Sequence, residues 1–123
     1  MNSLVDVVRK SKRAGELCKS LEIKGSTVHL RQMVGGAYSL YAAATVLRRG
    51  GIHIFVADDR DTAAYLLNDF YELLDEERVV FFASGYKRSV AYGAEDAQGL
   101  VRRTEALNAI ATFKSDYLVV CTY

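Results

Sequence analysis

Short apolar runs separated by stretches of helical periodicity constrain this chain more than any other feature. Ile52 to Ala57, Arg78 to Phe82 and Tyr117 to Thr122 are strand-sized, and the residues between them place apolar side chains three or four positions apart. Thr27 to Arg31 reads as a further strand. Strands joined by helical crossovers pair in parallel, with right-handed connections and helices lying on the sheet. The expected class is therefore α/β, a parallel sheet with helices on both faces. Leu4, Val8, Ala14, Leu17, Cys18 and Leu21 mark one leading helix within 1–24, stopped by Gly25-Ser26. Leu40, Ala43, Ala44 and Leu47 mark the next helix, which Gly50-Gly51 ends. Ile52 to Ala57 is nearly all apolar, as in a strand covered on both faces. Asp58, Asp59 and Asp61 then stand where an N-cap and first-turn acids belong, ahead of the stripe Ala63, Leu66, Leu67, Phe70, Leu73 and Leu74. A last helix is expected from Glu95 to Thr112, with Leu100, Thr104, Leu107 and Ala111 on its covered face.

The 123 residues suit one domain. Half are apolar, a quarter are charged and the mean hydropathy is +0.02, so the chain is expected to fold. Sixteen basic against fifteen acidic side chains leave +1, with the bases interspersed among acids, so no global field draws the chain to nucleic acid or lipid. No apolar run approaches the ~20 residues of a membrane span, and the charged first 24 residues are unlike a secretory signal. A cytoplasmic location is expected. Only Tyr123 follows Leu118 to Thr122, a strand of buried type, and this predicts that the chain is the front part of a longer domain.

In sheets of this kind a strand-to-helix turn is the usual phosphate cradle. Here that turn is Gln32, Met33, Val34, Gly35, Gly36, Ala37, Tyr38 and Ser39. On the pattern G-x-x-x-x-G-K-[ST], Gln32 and Ala37 replace the glycines and Tyr38 replaces the lysine. Only the Ser39 hydroxyl remains, and a phenol cannot hold positive charge against phosphate. Taken by spacing alone, Gly35-Gly36 equally describes a tight turn with no nucleotide ancestry.

Other residues invite functional readings. Tyr86, Lys87, Arg88 and Tyr92 interleave aromatic and cationic groups in a long connection, as single-strand binders do, although a solvated loop has the same composition. Asp58-Asp59 resembles a carboxylate pair for acid/base or magnesium chemistry, but helix capping is the simpler role. His29 and His53 lack partners at metal-ligand spacing, Ser39 and Ser84 lack a visible base, and Cys18 and Cys121 read as small buried hydrophobes.

The order of several segments resembles a known family. His53 through Asp58, Asp59, Thr62, Ala63 and Ala64 to Phe70 is similar to the unit that follows the phosphate loop in UvrB-type helicases. Val79 to Phe82, Tyr86 to Ser89 with Tyr92-Gly93, Arg103 to Leu107 and Leu118 to Tyr123 are similar to the N-terminal UvrB-like module of transcription-repair coupling factors, the Mfd family. The resemblance spans Thr27 to the end. It implies a RecA-like, P-loop-type layer over 25–123 with a degenerate nucleotide loop, no catalytic residue and no cofactor of its own. The parent protein would be an ATP-dependent DNA translocase, with ATP and magnesium in motor domains elsewhere and RNA polymerase, UvrA and double-stranded DNA as partners. This portion would chiefly contact other domains of the same protein, with most of the UvrA-binding surface beyond Tyr123. No aromatic hairpin of the UvrB kind is present, so damage recognition does not carry over. Two alternatives stay open. One is an enzyme, either a nucleotide-binding helicase-type domain with an atypical loop or a small flavodoxin-like catalyst. The other is a stand-alone interaction module of response-regulator type, suggested by Asp58-Asp59 but without a suitably placed lysine.

Overall fold

The computed structural model describes residues 3–83 and 97–123. Among these residues five helices and three strands follow in order: α1 (Ser3–Arg9), α2 (Lys12–Leu21), α3 (Ala37–Arg49), β1 (Gly51–Val56), α4 (Arg60–Leu73), β2 (Val79–Phe81), α5 (Ala97–Ala111) and β3 (Tyr117–Thr122). A single 3-10 turn, Glu76–Arg78, leads into β2. The strands form one sheet in the order β1-β3-β2, parallel throughout, with Ile52 opposite Leu118, Phe55 opposite Cys121 and Val79 opposite Val119. The α/β class and parallel sheet expected from the sequence are thus present.

Connection and covering agree. The path from β1 through α4 to β2 steps over β3, and α5 steps back from β2 to β3. One constant hand for both crossovers places α4 and α5 on opposite faces. On the first face Val79, Val119 and Cys121 join Val5 of α1, Ala43, Ala44 and Val46 of α3, and Leu66, Leu67 and Phe70 of α4 in one core. Phe55 packs there too, its ring centroid 4.9 Å from that of Phe70. Burying each such large side chain contributes about 1.5–3 kcal/mol. Leu118 and Val120, pointing the other way from the central strand, are also buried but lie outside that core, which leaves α5 to cover them.

Four expectations need correction. The leading helix is two helices, because Ser11 caps α2 by accepting the Ala14 N–H at 3.2 Å and so breaks the run. Thr27 to Arg31 forms no strand: β propensity is local, a ladder requires a neighbour, and among the described residues none pairs with it. The third correction concerns β1, whose Ile52, Ile54 and Val56 are 40, 62 and 70% exposed. A helix about 10 Å wide spans roughly two strands spaced about 4.8 Å apart, so α5 covers β2 and β3 and leaves β1 bare on that side. Lastly, α5 turns Leu100, Thr104, Leu107 and Ala111 outward and buries Gly99 and Ala106 instead. Small residues permit the close approach of helix to sheet, and Arg103, on the same side, donates to the Ala83 carbonyl at 3.3 Å.

β1 is also an edge. The N–H groups of Gly51 and Ala57 donate to the Asp116 and Thr122 carbonyls at 2.9 and 2.8 Å. By the two-residue period of a strand, the amides of His53 and Phe55 face β3, whereas those of Ile52, Ile54 and Val56 face away from the sheet.

Candidate functional site

The turn that would cradle phosphate lies where such turns belong, at the carboxyl end of the sheet. Gln32 and Gly35 adopt φ of +60° and +59°, and Gln32 is the one non-glycine residue with positive φ among those described. A left-handed backbone costs a side-chain-bearing residue about 1–2 kcal/mol. Gln32, which the phosphate-loop pattern would align with its first glycine, therefore has a glycine-like conformation while carrying a side chain. Gly36 caps α3 with no side-chain hydrogen bond, and the turn closes through the Ala37 N–H to the Val34 carbonyl at 3.2 Å.

A depression of about 390 Å³ opens beside this turn, between the N-terminal ends of α3 and α4 and the end of β1. Tyr38, Ser39, Asp58, Thr62, Tyr65 and Asp69 contribute its polar groups. Ser39 is buried, and its hydroxyl donates to Oδ2 of Asp69 at 2.5 Å. The hydroxyl that a working loop offers to a phosphate-bound cation is thus tied to a carboxylate thirty residues downstream. Asp58 and Asp69 line the same depression, and no lysine or arginine lines it to offset them against a phosphate. Tyr38 keeps its proton, since burial, reinforced by the nearby Cys121, raises its phenol above the ordinary 10.0. Burial pushes the Cys121 thiol up to about 12, so it is protonated and unreactive at neutral pH.

The remaining sequence candidates separate. Asp59 is the N-cap of α4: Oδ1 accepts the Thr62 N–H at 2.7 Å, and this bond holds its carboxyl below the usual value. Asp58 is exposed at the rim. The two acids accordingly do different work and form no paired site. His53 places Nε2 2.7 Å from the Gly50 carbonyl, a bond that serves the chain entry to β1, while His29 is exposed in the segment before the turn. Cys18 and Cys121 are both buried. Among the described residues no three His, Cys, Asp or Glu side chains gather as metal ligands. No described helix is long and apolar enough to cross a membrane. Tyr86, Lys87, Arg88 and Tyr92, with Ser84, lie outside the described residues. Asp69 escaped the sequence reading because its partner is remote; the only signal was an acid beside Leu66 and Phe70, next to the buried stripe of α4.

Compared with family models, curated proteins and solved structures, the chain matches none.

Proposed function

We propose that this chain is a catalytically silent α/β scaffold, the front part of the UvrB-like module of a transcription-repair coupling factor. The family reading rests on the segment order described above. The silence rests on one observation, the bond from Ser39 to Asp69 beside a tyrosine in the lysine position. The missing strand ahead of the loop supports the same reading, since a gripping phosphate loop is held on a strand and this one is not. In the complete cytoplasmic protein, ATP and magnesium would act in motor domains elsewhere, driving movement on double-stranded DNA and displacement of stalled RNA polymerase. This part would hold the neighbouring domains that recruit UvrA.

Calorimetric titration with Mg-ATP tests the silent loop. No heat of binding is expected, and micromolar binding that vanishes in Ser39→Ala would sink the reading. Capture of UvrA tests the family assignment. The 123-residue chain should fail to retain UvrA, while a chain continued through the following domain should retain it. Failure of both would remove the coupling-factor reading and leave the silent loop standing.

A further inference from the structure

The bases that alternate with acids along the sequence gather when α2 packs on α3. Arg9, Lys10, Lys12, Arg13, Lys19 and Lys24 surround α2, and Arg48 and Arg49 reach it from the end of α3. Those eight cations meet three acids within residues 6–24 and 48–49, Glu16, Glu22 and Asp6, which lies 3.9 Å from Arg9, a formal charge of +5. The rest of the chain holds eight cations and twelve acids, or −4, which is how a chain with such a cluster reaches a net +1. Between α2 and α3 runs a groove of about 730 Å³ lined by four cations, Lys12, Lys19, Arg48 and Arg49, and by two acids, Glu16 and Glu22.

Two of these cations are built in. Arg48 donates to the Arg9 carbonyl at 2.9 Å and Arg49 to the Cys18 carbonyl at 3.2 Å, each at or near the C-terminal end of a helix. Each bond uses one of the five N–H donors on its guanidinium, so both side chains are positioned with donors to spare. Arg48 lies over Gly15, where a Cβ would sit 3.5 Å from the guanidinium nitrogens, an ordinary contact distance. Lys12 and Lys19 are exposed, and the contact of Lys12 with Glu16 is a 4.0 Å surface pair worth little.

We propose that this groove binds the phosphodiester backbone of duplex nucleic acid, without reading sequence. Its polar lining decides the class of ligand. A protein partner needs an apolar pocket at the centre of its interface, and Cys18, the one apolar side chain here, is buried. Backbone binding needs only cations at phosphate spacing. The ten residues of α2 extend about 15 Å, a length over which a duplex strand presents about four phosphates. No aromatic ring lines the groove, so bases have nothing to stack on.

Fluorescence anisotropy of the 123-residue chain with labelled 20-base-pair duplexes of DNA and of RNA, about two helical turns each, tests this. Micromolar binding is expected at about 50 mM salt, weakening by roughly tenfold to a hundredfold at about 200 mM if two to four phosphates are neutralised. Lys12→Glu with Lys19→Glu should lower affinity at least tenfold, while Lys114→Glu, outside the groove, should not. Lys12→Gln with Lys19→Gln repeats the test if charge reversal perturbs folding. Binding to either duplex supports the proposal, and comparing the two shows whether one sugar is preferred. No binding, binding indifferent to the Lys12 and Lys19 changes, or equal affinity for polyglutamate or phosphatidylserine vesicles would overturn it.

Discussion

Gly50 and Gly15 respond in opposite ways to a methyl group. Gly50 has φ +64°, and a Cβ there would stand 2.9 Å from the Asp116 carbonyl oxygen, the oxygen that accepts the first hydrogen bond of β1. Gly50→Ala should cost about 2 kcal/mol or more, visible as a lower urea midpoint. Gly15 lies inside α2, where alanine meets only ordinary contacts with Arg48. Gly15→Ala should add about 0.5–1 kcal/mol and raise Tm by about 2–4 °C. His53 supplies a pH dependence. Burial lowers its imidazole below 6.5, outweighing the bond to Gly50, with Arg49 lowering it further. The unfolded chain therefore takes up this proton before the folded chain does, and stability declines as pH falls below about 6.5. Urea midpoints at pH 5.5 and 7.5 should differ more for the native chain than for His53→Gln; an equal difference would remove His53 as the cause.

Helices α3 and α4 were legible because each shows one apolar face and that face is the one covered, as Ala43, Ala44, Leu66 and Phe70 show. α5 was not. It carries two stripes of helical period, the larger one of Leu100 and Leu107 and the smaller one of Gly99 and Ala106, and only the sheet decides between them. The same dependence on neighbours explains Thr27 to Arg31, a segment with strand composition and no strand beside it, and the open side of β1, which no local pattern distinguishes from a covered one. In the candidate site the turn ahead of α3 was legible, from Gly35-Gly36, whereas the Asp69 tether depends on how α4 lies against α3. The break between α1 and α2 tests the local side of this contrast. Ser11→Ala should cost about 1 kcal/mol through loss of the cap, read as reduced helicity and a lower melting temperature.

For the molecule as a whole, the two sides of β1 predict unequal consequences. Ile52→Thr with Ile54→Thr alters only the bare side, so the melting temperature should hardly move while binding of a hydrophobic dye falls. Phe70→Ala on the packed side should cost about 3–5 kcal/mol, a large share of what a domain of this size has. A double threonine variant that melts far below the native chain would mean that the bare side is covered after all. The unpaired edge of β1 carries this further, into time. Every second amide of that strand, those of Ile52, Ile54 and Val56, has no backbone partner among the described residues, while its alternates are bonded to β3. In deuterated water the strand should therefore split into fast and slow positions one residue apart, with β3 labelled last. Uniform protection along β1 would be the sign of a strand already added at that edge.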